Sequence, residues 1–309
     1  MITGKRFAAI DIGSNAVRLL LSAVFQTDSV PSFRKISLIR MPIRLGKDAF
    51  LHGRISKDNA DRLISVIHGF KSLITAYRPL DVRACATSAM RESSNGKTLK
   101  REILDQTGID IEIIDGKKEA RIIFANNPWV HLEGDMAWLF VDVGGGSTEI
   151  TIFSNRGIVS RSFGIGTIRL LENLVPKAPW RAMKAWVRDQ TSGFSNIGAI
   201  GSGGNINTII KLAPCTNNQS ITLKKLKQVS NHLGFYSYVD RVTQLGLKPD
   251  RADVIMPALQ IYKSVMKWGG IRTLRVPQIG LADGLVRLMY QRSLRRSASN
   301  DQTSSQHPA

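Results

Sequence analysis

The sequence predicts an α/β protein in which one structural unit is used twice. Two apolar strands end alike, as Ile10-Asp11-Ile12-Gly13-Ser14-Asn15 and as Val141-Asp142-Val143-Gly144-Gly145-Gly146-Ser147-Thr148-Glu149. Each carries an aspartate, turns on glycine and starts a second apolar run. Each turn then opens the same order of elements: hairpin, third strand, helix, strand, helix. The 309 residues are enough for two domains with separate cores.

Residues 5–11, 16–25 and 33–41 read as three strands on short turns, with a tight hairpin across Asp11 to Asn15. Ser56 opens a helix. Leu63, Ile64, Ile67, Phe70, Leu73 and Ile74 follow at three- and four-residue steps, and Pro79 ends it. A strand at 82–86, a helix at 97–107 stopped by Gly108, a strand at 111–114 and a helix at 117–126 complete the first half.

The second half begins with a hairpin of 137–141 and 149–154 around the second turn, and a third strand at 159–163. Helices at 166–174 and 179–191 and a strand at 197–200 come next. Gly201-Ser202-Gly203-Gly204 leads into a helix through Leu212, an arrangement that favours anions but also suits tight strand–helix packing. Helices at 222–233, 235–245 and 251–268, a strand at 274–276 and a helix at 281–291 finish the pattern. The expected division is 1–126 and 127–296, with the boundary where Asn-Asn-Pro and Glu-Gly-Asp interrupt the periodicity. The Ser-rich residues 297–309 lack periodicity and are expected to be disordered.

Hydrophobic content of 43% and charged content of 22% are those of a soluble globular chain. Two cysteines exclude a disulfide scaffold and make a reducing, cytoplasmic compartment the expectation. No secretory signal opens the sequence, and no apolar run is long enough for a membrane span. His52, His68, His131, His232 and His307 form no HExxH or His–Asp pair, so zinc chemistry is not expected. The net charge of +19 suits an anionic partner such as polyphosphate, or a surface of scattered basic residues. No aromatic–basic interleaving marks a nucleic-acid platform, so nucleic acid is not expected as a partner.

Backbone N–H groups in glycine turns can converge on a phosphate. Asp11 and Asp142 can hold the accompanying cation. Aspartate before glycine is common in ordinary hairpins, but two such turns in matching positions favour the functional reading. Gly13 and Gly144 to Gly146 let ligand oxygens approach the backbone, and Ser14, Asn15, Ser147 and Thr148 add donors. Glu149 reads as a metal ligand, a holder of water, or a solvent-facing strand residue.

Glu119 falls in the first turn of a helix, where the dipole favours an acid anyway. That helix leads to the expected domain boundary, where a carboxylate can accept a proton from water. Arg91 follows a strand end and Arg18 follows the first turn; each is a phosphate fork or a solvated charge. The same two readings stay open for Lys117, Lys118 and Arg121.

The stretches AAIDIGSNAVRLLL, ATSAMRESSNG, IEIIDGKKEARIIF, LFVDVGGGSTEI, SFGIGTIRL, AIGSGGN, RADVIMPAL and GLADGLV run in order from residue 8 to 286. Together they resemble the exopolyphosphatase/guanosine pentaphosphate phosphohydrolase (Ppx/GppA) family of the actin–Hsp70–sugar kinase superfold. The resemblance implies two RNase H-like domains with a cleft between them. It implies that Glu119 activates water, that Asp142 and Glu149 serve magnesium, and that both turns bind phosphate. It also places Arg91 and Arg251 in motifs used near the phosphate. Longer members add a C-terminal His–Asp helical domain; this chain resembles the short class. A homodimer is a further family property, for which no heptad seam shows.

The expected activity is hydrolysis of a terminal phosphoanhydride, with Mg²⁺ offsetting phosphate charge and Glu119 deprotonating water. Inorganic polyphosphate and guanosine pentaphosphate compete as substrate, and the basic excess leans towards the first. A kinase would need an adenosine pocket, for which Gly201 to Gly204 is the only candidate. A non-catalytic polyphosphate or nucleotide sensor could dispense with Glu119.

Overall fold

A computed structural model describes residues 4–26, 30–125, 136–213 and 219–304. The first half consists of β1 (Lys5–Ile12), β2 (Val17–Phe25), β3 (Ser32–Met41), α1 (Leu45–His52), α2 (Lys57–Tyr77), β4 (Asp81–Ala86), α3 (Ser88–Glu92), α4 (Gly96–Thr107), β5 (Ile111–Ile113) and α5 (Gly116–Phe124). The second consists of β6 (Met136–Val143), β7 (Thr148–Ser154), β8 (Gly157–Phe163), α6 (Thr167–Leu171), α7 (Lys177–Thr191), β9 (Asn196–Ser202), α8 (Gly204–Leu212), β10 (Ser220–Thr222), α9 (Leu223–Gly234), α10 (Tyr238–Thr243), α11 (Pro249–Ala252), α12 (Ile255–Trp268), β11 (Thr273–Arg275) and α13 (Leu281–Ser304).

The duplication is visible in the sheets. The first has the order β3-β2-β1-β4-β5. The second repeats it as β8-β7-β6-β9-β11, with the short β10 added at its edge. In both, the first three strands are antiparallel and the last two run parallel to the first. Each sheet is an RNase H-like unit, and the cleft lies between the two.

Both faces of the central strands are buried. On β1, Ala8, Ile10 and Ile12 enter the core of the first lobe with Leu63, Ile67 and Phe70 of α2. Phe7 and Ala9 face the other way, into a core that also takes Trp138 and Phe140 of β6. Leu139, Val141 and Val143 alternate with these and fill the core of the second lobe. Alternation along a strand therefore supplies two cores at once.

The shared core is built by an exchange of helices. α5, the last helix of the first half, packs on β7 and β8 of the second sheet. α13, the last of the second half, packs on β1, β2 and β4 of the first sheet. The two helices meet each other at Gly284, where a Cβ would stand 2.0 Å from the Ile122 carbonyl oxygen. The expected boundary at 126/127 lies outside the described residues. The packing shows that a cut there would separate α13 from the sheet it covers.

Ser56 caps α2 as expected, accepting from the Asn59 amide, and Gly108 ends α4 in the left-handed conformation. Several expectations are corrected. α1, α3 and β10 were not anticipated; with eight, five and three residues they are too short to show a period. The helix expected over 251–268 is two pieces, α11 and α12. Asp250, Arg251 and Asp253 at this break are committed to contacts with distant residues. The last helix runs past Gln291 to Ser304, so the backbone of 297–304 is helical where disorder was expected. Residues 305–309 lie outside the described residues.

Candidate active site

The two glycine turns meet at the bottom of the cleft. A Cβ on Gly145 would lie 2.8 Å from Ser14 Cβ, so only glycine lets the second turn rest against the first. Neither turn uses a left-handed glycine: the residues with positive φ lie elsewhere. What the turns need from glycine is space.

Hydrogen bonds behind the turns aim their amides. The Ser14 carbonyl accepts from Gly46 N–H at 2.8 Å, and the Asn15 carbonyl from Arg44 N–H at 3.1 Å, both at the start of α1. In the second turn the Gly144 carbonyl accepts from Thr167 at 3.0 Å and the Gly145 carbonyl from Ile168 at 2.9 Å, at the start of α6. A trans peptide directs its N–H opposite to its C=O. Carbonyls tied to α1 and α6 therefore turn the following amides, on Asn15, Gly145 and Gly146, away from those helices. These amides have no acceptor among the described residues. The Gly13 and Gly144 amides are instead spent inside their turns, on Ala16 O at 3.1 Å and Ser147 O at 2.9 Å.

Three carboxylates crowd the same cleft. Asp142 and Glu149 are direct partners in the β6–β7 ladder. Glu119 comes from the first turn of α5, whose N-cap Asp115 accepts from the Lys118 amide at 2.7 Å. One oxygen of each of Glu119, Asp142 and Glu149 lies within 4.8 Å of the others. Ser147 Oγ donates to Glu149 Oε1 at 2.6 Å and Ser162 Oγ donates to the same oxygen at 2.9 Å. Glu119 receives no such donor among the described residues.

Burial and mutual repulsion raise the proton affinity of the group. Burial, then the Asp142 charge, push Glu149 up to about 7, against its two hydroxyl donors. Glu119 is held well above the usual carboxylate range by burial, then by Glu149, Asp142 and Asp11. Asp142 is raised too, chiefly by burial. Three clustered carboxylates with raised affinity are a donor set suited to a hard divalent cation, whose charge would let them ionise together.

The structure sorts the sequence-predicted residues. Asp11, Gly13, Ser14, Asn15, Arg18, Glu119, Asp142, Gly144, Gly145, Ser147, Glu149 and Arg251 all line a cleft of about 80 Å³. Asp11 stands apart from the carboxylate trio, because Arg18 Nη1 donates to its Oδ2 at 2.6 Å. Asp11, expected as a metal ligand, lines the cleft but is not grouped with the three carboxylates.

Three expectations fall outside the cleft lining. Thr148 is fully buried and its hydroxyl donates to Ile165 O at 2.5 Å. Gly146 packs under the Phe50 ring. Arg91 donates to the Ile114 carbonyl at 2.9 Å, so it braces the entry to α5. Lys117, Lys118 and Arg121 are exposed and do not line the cleft, and Lys118 pairs with Glu112.

Sequence reasoning missed Thr87, Ser88, Thr167 and Asn205 as lining residues. Ser88 shares a 2.9 Å hydrogen bond with Ser14. Asn205 accepts from Arg251 at 2.9 Å. Ser88 and Asn205 sit in the ATSAMRESSNG and AIGSGGN stretches, at helix starts facing the turns, and that position was the available signal.

The two RNase H-like lobes, the amide-lined turns and the carboxylate trio define a phosphate-handling protein of the actin-like superfold. The chain belongs to the Ppx/GppA phosphatase family, whose model matches residues 23–293. Exopolyphosphatase 1 of Mycobacterium tuberculosis is 24% identical over 304 residues, covering 91% of this chain and 87% of that protein. A bifunctional 3-dehydroquinate synthase/phosphatase of Fusobacterium nucleatum is 28% identical over 290 residues, covering 85% of this chain; the match spans 43% of that longer protein. Among solved structures, an exopolyphosphatase from Cytophaga hutchinsonii shares the fold with a TM-score of 0.78 and 24% identity, over 92% of this chain and 97% of that one. The Aquifex aeolicus family member does so with a TM-score of 0.72 and 22% identity, over 94% and 98%. Among the described residues, no helix is long and apolar enough to cross a membrane.

Proposed function

We propose that the protein is an exopolyphosphatase that releases the terminal phosphate of inorganic polyphosphate by attack of water. One observation carries the reading. Glu119, unlike Glu149 with its two hydroxyl donors, has no hydrogen-bond donor among the described residues, and it lines the same cleft as the free amides of both turns. A carboxylate without donors keeps its affinity for a proton, as a general base must.

In this reading the amides of Asn15 and Gly145 hold the end phosphate, with the hydroxyls of Ser14 and Ser88 nearby. Glu119 orients a water and takes its proton as the oxygen attacks phosphorus. The bridging oxygen leaves with its bond electrons towards Arg251. Asp142 and Glu149, with Glu119 close by, would hold a divalent cation, most simply Mg²⁺. When bound it would neutralise phosphate charge.

The Mycobacterium and Cytophaga exopolyphosphatases support polyphosphate as substrate. No aromatic ring lines the cleft or the larger cavity beside it among the described residues, so guanosine pentaphosphate would find no stacking face for its base. Phosphate release from the two substrates, compared side by side in Mg²⁺ with the purified protein, tests the proposal. Release from polyphosphate that is absent in Glu119→Gln is expected. Release confined to guanosine pentaphosphate would overturn it.

A further inference from the structure

Three successive carbonyls of the second glycine turn are tied to α6. Its main chain takes the first two, with Thr167 N–H on Gly144 O at 3.0 Å and Ile168 N–H on Gly145 O at 2.9 Å. A side chain serves the third: Arg169 Nε donates to Gly146 O at 2.8 Å. A trans peptide points its N–H away from its C=O. Arg169 therefore directs the next amide, that of Ser147, to the opposite side. Ser147 lines the cleft, and its amide has no acceptor among the described residues.

Arg169 is fixed in that pose from the first half of the chain. Its guanidinium lies over the Phe50 ring of α1, 4.3 Å from the centroid, and its Nη2 pairs with Glu92 of α3. The planar fork lets one side chain hold a carbonyl through Nε and a carboxylate through Nη2. The other Glu92 oxygen is 3.7 Å from Arg91 Nη2. Arg91 in turn donates to Ile114 O, one residue before the Asp115 cap of α5. Glu92 thus stands between the turn that faces the cleft and the helix that carries Glu119. The Glu92 side chain is 37% exposed, and ion pairs at such positions add little stability. What the pair supplies is geometry.

We infer that Arg169 is a positioning residue for the reaction, aiming the Ser147 amide at the end phosphate, and that Glu92 holds Arg169 in place from the opposite lobe. The inference rests on the exopolyphosphatase reading and deepens it. The first two carbonyls are held by main chain within the second lobe. The third is held only while the first lobe presents Glu92 and Phe50 to Arg169. The set of aimed amides is therefore complete only with the lobes in contact, which ties alignment of the phosphate to the apposition of the two halves.

The test is a double-mutant cycle on Arg169→Met and Glu92→Gln, with kcat and KM on polyphosphate and the unfolding midpoint measured for each protein. Arg169→Met should lower kcat by about tenfold or more, because a misaimed amide lets the phosphate drift from the attacking water. KM should change by less than about threefold. Glu92→Gln should lower kcat by a smaller factor. The double variant should stay within about twofold of Arg169→Met, since Glu92 acts through Arg169. Should Arg169→Met fail to fold, Arg169→Lys, whose ammonium lacks the planar fork, takes its place with the same expectation. A wild-type kcat in the folded Arg169 variant, whatever its midpoint, makes the contact structural only and overturns the inference. Losses that multiply in the double variant overturn the part given to Glu92. Should the wild-type protein release no phosphate from polyphosphate, the activity reading fails by itself. The positioning is then judged by equilibrium binding of inorganic phosphate: weaker binding by the Arg169 variant supports it, and equal binding overturns it.

Discussion

Asp142 and Glu149 stand directly opposite each other across the β6–β7 ladder, with their side chains on one face. Like charges in that relation repel, and Glu119 brings a third carboxylate within 4.8 Å. The arrangement is sustained only by protons or by a cation. Adding Mg²⁺ should therefore raise the thermal midpoint of the wild-type protein, since a ligand of the folded state stabilises it. The double variant Asp142→Asn/Glu149→Gln should lose that response and gain stability without metal. Melting curves with and without Mg²⁺ check it; a wild-type midpoint indifferent to divalent cations would count against the metal assignment.

Glu119→Gln keeps the size and the helix of the wild-type residue but removes the proton acceptor. Turnover on polyphosphate should fall by about 10²- to 10⁴-fold, the usual worth of a general base, with KM little changed. Steady-state kinetics decide it. A fall in affinity with kcat preserved would instead make Glu119 a substrate-binding group.

Asp250 ties the lobes together. It takes Arg40 of β3 and accepts from the Asn15 side chain, while Asp253 takes Arg44 at 2.5 Å. Burial alone would raise the Asp250 carboxyl, but the Arg40 hydrogen bond and charge outweigh it and hold it below the usual range. A carboxyl depressed by folding adds stability above its unfolded pKa of about 4 and loses it as pH falls through the folded value. Asp250→Asn should thus lower stability at neutral pH and flatten the acid limb below about pH 4. Denaturation measured from pH 7 down to 3 for both proteins checks the slope.

Gly284 is where the exchanged helices touch, with no room for a Cβ against the Ile122 carbonyl. Gly284→Val should cost about 1–3 kcal/mol, as overpacking does, by forcing α13 off α5. Because α5 carries Glu119, kcat should drop as well. Urea unfolding and kinetics on the same preparation measure the two effects; a variant as stable and active as wild type would refute the packing account.

Cys85 is fully buried in the shared core, and burial pushes its thiol up to about 12. It should resist alkylation at pH 8 in the folded protein and react in denaturant. Mass spectrometry of the Cys85 peptide after iodoacetamide treatment gives the answer.

Much of the fold was legible because its signals are local. Alternation marked the strands, spacing marked α2, and the repeated turn marked the duplication. The residues around Asp11 and Asp142 were legible for the same reason: a strand end, a glycine turn and a carboxylate are neighbours in sequence. Local pattern reports which face a residue takes and leaves its partner unstated. It could not show that Arg18 pairs with Asp11, that the Thr148 hydroxyl turns to Ile165 and Arg91 to the Ile114 carbonyl, or that α5 and α13 change places. Those outcomes depend on residues brought together from far along the chain, as Asp250 is with Arg40 across 210 positions. The sequence by itself determined two glycine turns with a carboxylate near each, and its family resemblance implied a cleft between the domains that carry them. Only the tertiary structure decided how the turns and carboxylates meet there, because helix exchange and the Asp250–Arg40 contact set the lobes against each other.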